Sequence, residues 1–206
     1  GNMALMVTAT EQGVKDDTAS INQYIKLEEE KIYKISMKVS VDSTEEANAI
    51  KLCVLALKDA EHSENDWFVN NWYTETVDTS SFVTVSKTFK APRDCDAQVK
   101  ISPVNVGDVY LDDITLEEVT IDEVDFEFEH GTPSQLQVGN EYTARFPEGE
   151  LIVAQYDEQG RLVTVGCGTV GVSVTPVQGV KEVKFFALDS FSTLKPLTGF
   201  VRFDVE

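Results

Sequence analysis

Apolar and polar residues alternate with a period of two over one stretch of this chain after another, and helical periodicity is nearly absent. Between Ile32 and Val41, the residues Tyr33, Ile35, Met37, Val39 and Val41 alternate with Lys34, Ser36, Lys38 and Ser40. Successive side chains of a strand point to opposite faces, so this pattern gives one buried and one wet face. Ile21 to Leu27 alternates in the same way, with Asn22, Tyr24 and Lys26 on the polar side. Ile50 to Leu57 is a short, nearly continuous apolar run that reads as a central strand. Trp67 to Val77 and Phe82 to Phe89 are rich in aromatic, β-branched and threonine residues, and Gln98 to Ile101 and Val109 to Leu116 follow. Beyond Val119 the strands expected are Glu141 to Phe146, Leu151 to Tyr156, Arg161 to Gly166, Val170 to Val174, Val180 to Leu188 and Thr198 to Val205. Pro147-Glu148-Gly149 and Asp157-Glu158-Gln159-Gly160 read as turns between them. Short strands at close spacing without helical interludes imply sandwiches, not βαβ units. Two all-β domains are expected, meeting near residues 119–125.

Charge narrows the function. The 206 residues carry 17 Lys and Arg against 36 Asp and Glu, a formal net charge of −19. Divided at residue 119, the two parts carry −11 and −8, so acidity is not confined to a tail. Nucleic acids and anionic membrane surfaces call for a basic face, which no Lys/Arg cluster supplies. No apolar stretch approaches the roughly 20 residues of a membrane span. Cys53, Cys95 and Cys167 cannot all pair within the chain and form no C-x-x-C, so free thiols are expected. The opening Gly1-Asn2-Met3 has no signal-peptide character and reads as a tag scar on an excised piece of a longer chain.

Catalytic motifs fail in turn. Gly166-Cys167-Gly168-Thr169-Val170-Gly171 matches G-x-G-x-x-G, but Val172-Ser173-Val174-Thr175-Pro176 follows where a dinucleotide site needs a helix. The glycines therefore read as a loop. His62 and His130 lie in polar loop contexts in different domains, and no serine occupies a G-x-S-x-G elbow. Carboxylate pairs are expected by chance at this acidic content. The expectation is a non-enzyme.

Two features remain. Trp67-Phe68-Val69-Asn70-Asn71-Trp72-Tyr73 holds both tryptophans of the protein within one segment, with amides between them. Sugar rings pack apolar C–H faces on flat aromatic rings and need amide or carboxylate partners for their hydroxyls. The candidate ligand-binding residues are Trp67, Asn70, Trp72 and Tyr73, joined by Tyr24. The competing reading places one of these aromatics in the sandwich core. Asp112-Asp113 interrupts an apolar strand, Val109 to Leu116, where two buried carboxylates would need relief. A calcium ion or backbone N–H donors would each serve, and the sequence leaves both readings open.

Several segments together resemble a known family. Ala4-Leu5-Met6-Val7-Thr8, Tyr33 to Val39, Val83 to Pro92 and Tyr110-Leu111-Asp112-Asp113-Ile114 are similar to carbohydrate-binding modules of families four, nine and twenty-two. The resemblance covers roughly residues 4–119 and implies a galactose-binding-like β-jelly-roll sandwich. The family's opening strand, with its Asn-Gly-Asp-Phe-Glu-like signature, has no counterpart here, and Phe82 stands where the family tends to have Trp. The fold is implied; the family's ligand residues are not. Leu151 to Asp157, Arg161 to Val163 and Val183 to Leu197 resemble small Ig-like accessory sandwiches of multi-modular Gram-positive extracellular proteins. The expected organisation is a jelly-roll domain over residues 1–121, its opening strand missing, and a smaller Ig-like β-sandwich over 122–206. The expected function is non-catalytic binding of a neutral poly- or oligosaccharide within a secreted, cell-surface or other extracellular multi-modular protein. No cofactor is expected, and the expected partners are the glycan and other modules of the parent chain, not nucleic acid or membrane. The alternative is a structural or adhesive spacer with no sugar affinity. A glycan-binding screen separates the two.

Overall fold

A computed structural model describes residues 4–9, 20–42, 50–73, 82–103, 107–129 and 131–206; the side chains at 9, 41, 42, 68, 70–73, 103 and 107 lie outside that description. The chain forms two compact units, Gly1–Glu118 and Val119–Glu206. Both are all-β, and among the described residues the one helical element is a single 3-10 turn, Ile121–Glu123.

The first unit contains β1 (Leu5–Ala9), β2 (Ile21–Leu27), β3 (Ile32–Asp42), β4 (Ile50–Ala56), β5 (Asp66–Tyr73), β6 (Val83–Lys90), β7 (Cys95–Pro103) and β8 (Gly107–Val119). They form two four-stranded sheets, in the orders β1-β8-β3-β6 and β2-β7-β4-β5. First pairs with last, second with seventh, third with sixth and fourth with fifth. That nested order is the jelly roll, a long hairpin wrapped over itself into two facing sheets. Between the sheets lies one core. Tyr33, Ile35, Met37 and Val39 of β3 face Ile50, Leu52 and Val54 of β4, Val69 of β5 and Ala97, Val99 and Ile101 of β7. The alternation in the sequence is therefore the alternation of the core, and each large buried aliphatic contributes about 1.5–3 kcal/mol.

The second unit contains β9 (Glu127–Phe128), β10 (Tyr142–Asp157), β11 (Leu162–Val174), β12 (Val180–Leu188) and β13 (Val201–Asp204). They make one antiparallel sheet ordered β11-β10-β12-β13, with β9 added to the other side of β10. Phe128 of β9 meets Phe185 of β12 and Phe203 of β13 edge-on, with ring centroids 5.3 and 5.1 Å apart. The sheet thus bends over its own inner face, and Phe126 and Phe146 fill the space beneath.

Two turn-and-loop expectations are corrected here. Pro147-Glu148-Gly149 lies inside β10, and the glycine run 166–171 is the middle of β11. Where β10 and β11 pair, residues 146–149 stand opposite the single residue Val170, because the register jumps from Arg145↔Gly171 to Glu150↔Thr169. The result is a bulge that bends the hairpin without reversing the chain. Gly149 (φ +88°) and Val170 (φ +53°) absorb the bend. The expected strand pairs on either side of each break consequently merge into β10 and β11. Gly168 is required by proximity: a Cβ there would sit 2.1 Å from the Gly171 carbonyl oxygen. The turn at Asp157 to Gly160 forms as its sequence implies, with Gly160 at φ +73° and Asp157 accepting from the Gln159 and Arg161 N–H groups.

Candidate functional site

The sheet β2-β7-β4-β5 places two of the candidate aromatics in one line. Tyr24 on β2 is opposite Gln98 on β7, Gln98 is opposite Leu55 on β4, and Leu55 is opposite Trp67 on β5. The last pairing crosses a register break that skips position 68 and so frees Trp67 from the inward face of Val69. Cross-strand partners share a face. Val99 and Val54, the neighbours of Gln98 and Leu55, point into the core, so this row lies on the opposite face. Tyr24 is 66% exposed and Trp67 50%, while Gln98 is half-buried and Leu55 buried. Exposure thus falls from the two edge strands toward the middle of the sheet. Three strand spacings separate the rings' backbones, about 14 Å.

Hydrogen bonds and a charge fix the row. Gln98 Nε2 donates to Asn22 Oδ1 at 3.2 Å and approaches the Tyr24 hydroxyl at 3.5 Å. Asn22 in turn donates to Ser20 Oγ at 2.9 Å. Lys51 Nζ lies 5.7 Å from the centre of the Trp67 ring, a cation–π contact that holds the indole across the strand pair. Next to Trp67, the Asp66 carboxylate accepts from Arg93 Nη1 at 2.9 Å, and Arg93 Nη2 donates to the Leu57 carbonyl at 3.2 Å. This guanidinium ties the start of β5 to the end of β4. In the intervening loop, Lys58 N–H donates to Asn65 Oδ1, and Asp59 accepts from His62 Nδ1 and from the Glu61 and His62 N–H groups. The His62 hydrogen bond, followed by those two backbone donors, lowers the Asp59 carboxyl from 3.8 to about 2.

The other candidates fall on the same strand. Asn70 is in register with Cys53 and Trp72 with Lys51, whereas Tyr73 is in register with Ile50. The side chains of Asn70, Trp72 and Tyr73 lie outside the described residues. Gln98 and Asn22 were not among the residues singled out from the sequence. Their signal was visible only as polar positions of alternating strands; the register that sets Gln98 between the rings was not.

Asp113 is exposed, with φ +48°, and pairs with Lys38 at 2.6 Å, while its N–H donates to Asp112 Oδ1 at 2.9 Å. Of the two kinds of relief left open by the sequence, a backbone N–H donor is present at Asp112, and the positive φ of Asp113 turns its own carboxylate outward to Lys38. Among the described residues no three His, Cys, Asp or Glu side chains converge as a metal site. Cys53 is buried, Cys95 half-buried and Cys167 exposed. His130 lies outside the described residues. The second unit has an open cleft of about 480 Å³ lined by Phe128, Glu129, Asn140, Glu141, Tyr142 and Thr143.

No protein-family model and no curated protein matches the sequence. Solved structures of carbohydrate-binding modules do resemble it. One described as "CBM4 structure and function" is 24% identical, with 55% of this chain covering 70% of that one at a TM-score of 0.43. One described as "Family 16 Carbohydrate Binding Module-2" is 20% identical, 57% covering 78%, at 0.42. The CBM22-1 xylan-binding domain of Paenibacillus barcinonensis Xyn10C is 12% identical, 57% covering 85%, at 0.36. At this level of superposition the assignment of a jelly roll rests on the strand order of the chain itself.

Proposed function

We propose that the first unit is a non-catalytic glycan-binding module and that the Tyr24–Gln98–Leu55–Trp67 row is its binding platform. One observation carries the reading: two exposed rings on opposite edges of one sheet flank a hydrogen-bonding amide in a single cross-strand row. Rings serve the apolar faces of sugars and the amide serves their hydroxyls. Asn70, Trp72 and Tyr73, on the same strand as Trp67, are the further residues proposed for the platform. The row itself is uncharged and the chain carries −19, so neutral poly- or oligosaccharides are favoured over polyanions. In this reading the second unit is an Ig-like accessory module, and the pair belongs to an extracellular multi-modular protein.

Binding should be weak, on the order of 10 μM to 1 mM, because an open platform buries few ligand atoms. The test is isothermal titration with neutral oligosaccharides selected on a glycan array. Trp67→Ala should weaken binding at least tenfold, about 1.4 kcal/mol, and leave the melting temperature nearly unchanged because the ring lies outside the core. Unchanged affinity in Trp67→Ala would overturn the platform. An array on which the wild type binds nothing would favour the spacer alternative.

A further inference from the structure

The two flanks of the Tyr24–Gln98–Leu55–Trp67 row differ in charge. On the flank toward the β4–β5 loop, Lys26 of β2 stands opposite Asp96 of β7, and the two offset one another. Asp66, which begins β5 on this side, is held by Arg93 at 2.9 Å. The loop beyond carries Asp59, Glu61 and Glu64 against Lys58. This flank is therefore acidic, like the chain as a whole.

The other flank has the opposite sign. The next row along the sheet sets Asn22 opposite Lys100 and Lys100 opposite Cys53, and the row after it sets Ser102 opposite Lys51. Val99 and Ile101 beside Lys100, and Ile50 and Leu52 beside Lys51, point into the core. Both lysines therefore lie on the platform's face, and both are half-buried. Lys51 leans back along its strand to the row, with Nζ 5.7 Å from the centre of the Trp67 ring. The strand segments that build this flank, residues 20–23, 50–54, 69–73 and 99–103, contain no Asp or Glu. In a part of the chain that carries −11, that is a local reversal of charge beside the candidate platform.

We propose that the glycan taken by this platform carries an isolated carboxylate, as a uronic acid within an otherwise neutral chain, and that Lys100 and Lys51 receive it. The inference rests on the platform reading above and names its ligand class more closely. Rows two residues apart on a strand are separated by about 7 Å, a gap that a ring substituent and a lysine side chain span together. An ammonium is a compact charge with three donors, so contacts made within the sheet leave its attraction for a carboxylate in place. Range decides between this attraction and the repulsion from −19. Exposed charges farther away than about 8–10 Å are largely screened at physiological salt, so the lysines beside the row govern a single carboxylate. A ligand charged at every sugar still meets the field of the whole chain. The opposite flank sets direction, because Asp96 and the loop acids turn the carboxylate toward Lys100.

A glycan array of matched pairs tests it, each neutral oligosaccharide printed beside the form with one C6 hydroxymethyl group oxidised to a carboxylate. Isothermal titration of the full chain then gives the affinity ratio for the pair that binds. The acidic member should bind about threefold tighter or more at low salt, and the ratio should approach one as salt is raised to about 1 M. Lys100→Gln and Lys51→Gln should each lower the ratio, and Lys100→Arg should keep it, because charge is what is read. Equal affinities within the pair, or a preference for the neutral member, overturn this inference and leave the platform standing. A ratio indifferent to both glutamine variants overturns it too. Failure to bind either member of any pair overturns the platform and this inference together. If a variant fails to fold, the salt dependence of the wild-type ratio remains, and a ratio independent of salt also overturns the proposal.

Discussion

Asp59 shows how a single residue can make the loop before the platform sensitive to acid. Its folded carboxyl titrates at about 2 against an ordinary 3.8, because His62 Nδ1 and two backbone N–H groups stabilise the ionised form. A depressed pKa contributes stability that is fully present above the unfolded value and is lost as pH falls through the folded one. Melting temperature should therefore fall between pH 3.8 and about 2, and Asp59→Asn should flatten that part of the curve relative to wild type. A mutant curve parallel to the wild-type one would show that the loop contributes nothing there. The thiols make a second residue-level prediction. Cys167 is exposed, Cys95 is half-buried with its thiol pushed up by desolvation, and Cys53 is buried in β4. Thiolate is the reactive form, so alkylation of the folded protein should proceed in the order Cys167, Cys95, Cys53. Mass spectrometry after timed alkylation checks this; early labelling of Cys53 would contradict the packing of β4.

At the scale of the element, the bend in the β10–β11 hairpin decides whether the second unit closes. Gly149 has a positive φ and is crowded: a Cβ would lie 2.3 Å from the Leu188 carbonyl oxygen. Gly160, at the turn between β10 and β11, has a positive φ but nothing within 4 Å of a Cβ. Gly160→Ala should accordingly cost about 1 kcal/mol of conformational strain, and Gly149→Ala at least about 2 kcal/mol, because strain and clash combine there. Urea unfolding of the two variants measures the difference, and equal losses would mean that the bend relaxes freely. The sequence marks both sites alike, with glycine after polar residues. It does not reveal that one chain segment turns back and the other bends within a strand, because that depends on which partner strand lies alongside. The same limit applies to the glycine run: small residues in a β-rich context fit a loop and a crowded strand equally well.

For the whole molecule, the separation into Gly1–Glu118 and Val119–Glu206 implies two cores, one of aliphatics between jelly-roll sheets and one built around Phe126, Phe146, Phe185 and Phe203. Calorimetry should resolve two transitions, and a chain of residues 119–206 alone should keep its strand-type circular dichroism. A single transition that core substitutions in either unit shift as a whole would show one cooperative body. Sequence by itself determined that the chain is all-β, which residues of β3 face inward, and that the chain is strongly acidic in both parts. These properties are local or additive: side-chain alternation is set by backbone geometry, and charge is a sum. Tertiary structure decided the rest. Tyr24 and Trp67 lie 43 residues apart in sequence, and they share a row because β7 and β4 lie between β2 and β5 with their register fixed by the buried faces. A one-residue slip would have turned either ring into the core. Sequence supplied the rings, and long-range pairing put them on one surface.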